Sequence, residues 1–98
     1  MNNNIFFPIG TVVLLKGAKR KVMIMGYAQK EESNDKIWDY CGCAFPIGVI
    51  SSKKNLLFNN DQIEEVVYVG HVDEESKIFM KQLEAEMEGI RNNGWLKL

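Results

Sequence analysis

At Gly70 the hydrophobic repeat of this chain changes from two residues to about 3.6, and that change separates what can be sheet from what can be helix. Before it, short apolar runs alternate with turn residues. Thr11 to Lys16 reads as a strand entered through Pro8-Ile9-Gly10 and closed by Gly17. Lys21 to Tyr27 follows so closely that the two form a β-hairpin. In this second strand Val22, Ile24 and Gly26 point one way and Met23, Met25 and Tyr27 the other. Both faces are apolar, which predicts a central or covered strand. After a polar loop at 29–36, further strands are expected from Ile37 to about Ala44, from Asn55 to Phe58 and from Glu64 to Val69. Asn59-Asn60-Asp61 predicts one helical turn before the last of them.

Beyond Gly70 the pattern is helical. Asp73 suits an N-cap, Glu74 and Glu75 suit the positive end of the helix dipole, and Gly89 suits the position after the C-cap. The spacing predicts a helix from about Asp73 to Glu88, with Phe79, Leu83, Met87 and Ile90 on its apolar stripe and Met80 alongside. A short tail, 91–98, carries Trp95, Leu96 and Leu98. The expected class is therefore α+β, mainly β. An SH3-like antiparallel barrel with a C-terminal helix comes first, and a bent five-stranded sheet with the helix on one face comes second.

Size limits what such a fold can do. Ninety-eight residues, 46% of them hydrophobic and 26% charged, make one ordinary domain spanning 1–98. Its core is too small for a deep enclosed cavity, which favours a binding module over an enzyme. Purely apolar runs such as Val12 to Leu15 are far short of the roughly 18 residues of a membrane span, and no secretory signal is recognisable. A cytoplasmic protein is expected. Two cysteines separated by one glycine also suit a reducing compartment.

The net charge of −1 is a sum of unlike parts. Residues 1–30 carry +5 and residues 61–98 carry −5. Such asymmetry implies either an internal dipole closed by packing or two surfaces of opposite sign for different partners. The basic part centres on Lys16, Lys19, Arg20 and Lys21 at the hairpin tip. The glycines there do not form a phosphate-binding loop, and abundant acid elsewhere disfavours nucleic acid.

Catalytic and metal chemistry finds little support. Cys41 and Cys43 would share one face of a strand, but His71 is the only histidine, and a structural zinc site wants four Cys or His ligands. Two semi-buried strand cysteines and a loop histidine are the expected reading, with no metal and no cofactor. Phe7-Pro8-Ile9-Gly10 recurs as Phe45-Pro46-Ile47-Gly48. The same turn chemistry used twice accounts for the repeat, and the functional alternative is that both turns present their phenylalanines, Phe7 and Phe45, to a ligand.

Pro8 to Gly17 followed by Val22 to Tyr27, Asp39-Tyr40-Cys41-Gly42 running into Pro46-Ile47-Gly48, Leu57-Phe58-Asn59 with Asp61 to Val67, and Gly70 leading into an acidic helix start form an ordered set. This set, over roughly residues 7–88, resembles a family of small Gram-positive bacterial proteins classed as a domain of unknown function. The resemblance implies a genomic setting beside type VII secretion toxins of the LXG class, and it brings no catalytic residues. It implies an accessory or chaperone-like protein that binds such a toxin or another secretion component. The residues expected to make that contact are Lys16, Lys19, Arg20, Lys21, Phe45, Phe79, Met80, Leu83 and Met87, the alternative for Phe79, Leu83 and Met87 being that they cover the core and leave the free surface at Phe45 and the basic hairpin. Alternative readings are a nucleic-acid-binding small barrel, which needs Tyr27 or Trp38 exposed on the face of the basic tip, and a toxin immunity protein.

Overall fold

The computed structural model describes residues 6–31 and 35–93. Five strands, β1 (Val12–Leu15), β2 (Lys21–Lys30), β3 (Ile37–Phe45), β4 (Leu56–Phe58) and β5 (Ile63–Tyr68), precede one helix, α1 (Glu74–Asn93). They form one antiparallel sheet in the order β4-β3-β2-β1-β5. β2 is central, as its two apolar faces require.

The sheet is bent but not closed, so the second of the two expected architectures is the one observed. β4 and β5 are its edges. Five flat strands would hold those edges about 19 Å apart, whereas the chain from Phe58 to Ile63 reaches at most about 18 Å when fully extended. Asn60–Gln62 in that connection is a 3-10 turn, so the actual reach is shorter and the sheet must curl. The turn expected at Asn59-Asn60-Asp61 thus holds the two edges towards each other without a ladder between them.

A bulge in β2 decides which side chains enter the core. Ile24 pairs with Gly42 and Gly26 with Cys41, which leaves Met25 as an extra residue. Alternation is reset there. Tyr27, expected to point with Met23 and Met25, instead joins Val22 and Ile24 in the core with Tyr40 and Phe58. Ala28, buried beside it, takes a φ of 54°. α1 closes the core by burying Leu83, Met87 and Ile90 against this face.

The helix is longer than its sequence signals suggest. Asp73 caps it as expected, its Oδ1 accepting from the Ser76 amide at 2.9 Å while the Asp73 amide donates to Ser76 Oγ at 2.9 Å. Gly89 does not end it. The helix runs on to Asn93, which brings Arg91 against β3. There Arg91 Nη2 pairs with Asp39 Oδ1 and Nη1 donates to the Ile37 carbonyl at 3.2 Å. Asp39 is buried and also accepts from the Asn60 amide at 2.9 Å through Oδ2. Asn60 Oδ1 in turn accepts from the Tyr40 hydroxyl at 2.6 Å. The Phe7 amide donates to Tyr40 at 3.0 Å, and Tyr27 donates to the Phe7 carbonyl at 2.7 Å. One polar chain therefore ties the end of α1 to β3, to the 3-10 turn and to the entry of β1. The tail residues Trp95, Leu96 and Leu98 lie outside the described residues.

At the other end of α1, Gly70 meets the start of β1. A Cβ there would lie 2.1 Å from the Ile9 carbonyl oxygen, so only glycine fits. Its amide donates to buried Thr11 Oγ1 at 3.0 Å.

Candidate functional site

The basic hairpin tip and the second Phe-Pro-Ile-Gly turn are brought together at one end of the sheet. Lys21 opens β2 opposite Phe45, which closes β3, so the two connecting loops leave the sheet side by side. Lys16, Lys19, Arg20 and Lys21 are all exposed, and none makes an ion pair among the described residues. Lys53 and Lys54, in a 3-10 turn after β3, add two exposed cations. Between these charges Phe45, Ile47, Val49 and Ile50 are exposed.

The repeated tetrapeptide makes two different turns. At the first, the Thr11 amide donates to the Pro8 carbonyl at 3.2 Å, and Phe7 is half-buried against the core. At the second, the Phe45–Pro46 peptide is cis and the Gly48 amide donates to the Ala44 carbonyl at 2.7 Å. Both glycines take positive φ, +89° at Gly10 and +86° at Gly48, which is the shared turn chemistry. Phe45 is presented at the surface and Phe7 is fastened inside.

Further exposed apolar surface is found on β5, on the link after it and on the first turns of α1. Val67, Tyr68, Val69, Val72, Ile78 and Phe79 are exposed. Phe79, with its ring centroid 6.0 Å from that of Tyr27, bridges this surface and the core, and Met80 is half-buried next to it. Leu83 and Met87, expected among the partner-binding residues, are fully buried and belong to the core. They are one and two turns further along the helix, where its apolar stripe faces the sheet instead of the solvent. Glu74 and Glu75 make the helical part acidic, while Glu64 and Glu65 lie at the opposite end of β5, beside Leu14 and Leu15. No described ion pair joins these acids to the hairpin, so the charge asymmetry is not closed by direct pairing among the described residues.

The thiols lie on β3 as expected, Cys41 half-buried and Cys43 buried. Burial pushes the Cys41 thiol above its ordinary range, and neighbouring Cys43 adds to the shift. This keeps the Cys41 thiol protonated at neutral pH and makes it a poor nucleophile. No group of three metal-ligating His, Cys, Asp or Glu side chains occurs among the described residues. His71 Nε2 lies 3.3 Å from Asp73 Oδ2 in the exposed approach to α1. Burial also raises the buried phenols, Tyr27 to about 12 and Tyr40 further still. Both remain neutral and act as hydrogen-bonding core residues. No helix among the described residues is long and apolar enough to cross a membrane.

Sequence reasoning located the hairpin cations, Phe45 and Phe79, but missed the apolar loop after β3 and the exposed side of β5. The first had a signal: three aliphatic residues, Ile47, Val49 and Ile50, occupy a turn region where polar residues are the rule. The second had none, because a well-alternating strand looks the same at an edge as inside a sheet.

The pattern that defines the family described as "Domain of unknown function (DUF4176)" matches residues 6–79, most of the chain, and the chain belongs to that family. No curated protein and no solved structure matches it.

Proposed function

We propose that this DUF4176 chain is a cytoplasmic accessory module, chaperone-like in action, that binds an LXG-class toxin or another component of type VII secretion. The observation that carries the reading is the exposed apolar surface on β5 and the first turns of α1. Six large apolar side chains are exposed within residues 67–79, a density beyond an isolated surface hydrophobe, and exposed apolar surface of this kind marks protein contacts. The secretion setting comes from the resemblance described above, the family itself being described only as a domain of unknown function. The role is binding, with no chemical step assigned to the chain.

The nucleic-acid reading required Tyr27 or Trp38 on the face of the basic tip. Tyr27 is buried in the core. Trp38 pairs with Gln29, eight residues along β2 from Lys21, which is about 27 Å away in an extended strand. Its ring is also occupied by Lys36, whose Nζ lies 3.8 Å from the ring centroid, and its Nε1 donates to Glu31 at 3.1 Å. The immunity reading differs from the accessory reading in which part of the toxin is bound. Co-purification with separate N-terminal secretion and C-terminal toxic regions of an LXG-class toxin distinguishes them. Binding to the N-terminal region is expected, and substituting Ile78→Glu together with Val69→Glu abolishes it.

A further inference from the structure

The hairpin end presents a different chemistry from the β5–α1 surface. Loop residues 16–21 and 46–54 contain six cations and no acid. Lys21 and Phe45 are cross-strand neighbours, so the two loops form one surface and not two separate ones. At its centre Ile47 is 53% exposed, Val49 58% and Ile50 65%. These aliphatic side chains lie in the loop between β3 and β4, next to the hairpin loop on one side and followed by Lys53 and Lys54 on the other, and no described acid pairs with these cations.

We propose that this end of the molecule docks on an anionic lipid bilayer. A bilayer offers negative headgroups at its surface and hydrocarbon just below, which matches cations surrounding aliphatic tips and requires no shape complementarity. Protein hot spots, by contrast, are enriched in Trp, Tyr and Arg, and here the surface holds one arginine, Arg20, and one aromatic, Phe45. Orientation follows from the fold. Gly70 packs on Ile9 and Thr11 at the opposite end of β1 from the hairpin tip, so the acidic start of α1, with Glu74 and Glu75, begins at the far end of the sheet. A net charge of −1 is therefore divided so that the positive end faces the headgroups and that acidic cluster faces away. The nearer acids, Asp61, Glu64 and Glu65, lie outside the two loops on the β5 side of the hairpin, where Glu65 pairs with Leu14 and the Lys16 amide donates to the Gln62 carbonyl at 2.8 Å.

Co-sedimentation of the full chain with vesicles tests this. Vesicles of equal parts phosphatidylglycerol and phosphatidylcholine should bind it at least about tenfold more strongly than phosphatidylcholine alone, and raising salt from about 0.05 to 0.5 M should reverse most of that gain. Two exposed-loop variants, Lys19→Glu with Arg20→Glu and Val49→Ser with Ile50→Ser, should each weaken binding at least about tenfold while the far-ultraviolet circular dichroism stays that of the parent. No binding to phosphatidylglycerol vesicles at low salt overturns the proposal, as does binding that both variants leave intact. Vesicle binding that fails while the same variants lose an LXG-class toxin also overturns it and assigns the surface to an acidic protein. Because the β5–α1 surface is untouched by these variants, toxin binding that persists leaves the accessory role standing whatever the vesicles show.

Discussion

Replacing Gly89 by alanine should make the protein more stable, and the sign of the effect tests where α1 ends. Gly89 lies inside the helix, which continues through Ile90 and Arg91 to Asn93. It is not among the glycines with positive φ. A Cβ placed on it meets nothing within 4 Å beyond the helix's own backbone. The substitution therefore adds no clash and removes the backbone entropy that glycine loses in a helix interior, a gain of about 0.8–1.0 kcal/mol. Were Gly89 instead the left-handed residue after a helix ending at Glu88, the same alanine would cost about 1 kcal/mol. The two cases differ by about 2 kcal/mol, well beyond the error of a denaturation midpoint. Urea unfolding followed at 222 nm should show a higher midpoint at unchanged slope, with a thermal midpoint raised by about 4–8 °C. A lower midpoint would mean instead that the helix stops before Arg91 can reach Asp39.

Other expectations follow from the same contacts. Arg91→Ala should cost about 2 kcal/mol by leaving buried Asp39 without its cationic partner, and a double-mutant cycle with Asp39→Ala in urea should return a coupling of about 1–2 kcal/mol; independent effects would mean that the pair is not formed. Gly70→Ala should cost several kcal/mol, about 3 or more, because its Cβ strikes the Ile9 carbonyl, and native-like stability on unfolding would rule out that close approach. The raised pKa of Tyr27 means that the folded state holds its phenolic proton more tightly than the unfolded state. Stability from this group is thus complete below about pH 10 and lost as pH rises towards about 12, by about 1 kcal/mol at pH 11. Tyr27→Phe should flatten that part of the urea midpoint against pH, and an unchanged slope would exclude the phenol as its source.

The change of hydrophobic period at Gly70 made the order of strands and helix legible, and the apolar faces of the second strand marked it as central. Registers were a different matter. The bulge at Met25 moves Tyr27 from one side of the sheet to the other, and nothing in Val-Met-Ile-Met-Gly-Tyr distinguishes that outcome from plain alternation. Gly89 is equally ambiguous, since an isolated glycine near the end of a helical pattern can be a cap or an interior residue. What decides is Arg91, whose long-range pairing with Asp39, 52 positions earlier, rewards another turn of helix. The candidate surfaces were half legible for a similar reason. Clustered cations are visible in one dimension, whereas the juxtaposition of Lys21 with Phe45 depends on strand pairing. Leu83 and Met87 show the limit of the helical stripe: periodicity identifies an apolar face but not where along the helix it leaves the core.

On the proposed function, the chain binds a secretion partner through β5 and the start of α1. The most direct measurement is isothermal titration of the full chain against the isolated N-terminal region of an LXG-class toxin from the same genome, with Val69→Glu/Ile78→Glu as the paired variant. The account predicts saturable binding by the parent chain and at least about a hundredfold loss in the variant, the effect of placing two charges in an apolar contact. Absence of heat with the N-terminal region, together with saturable binding to the C-terminal toxic region, would contradict it.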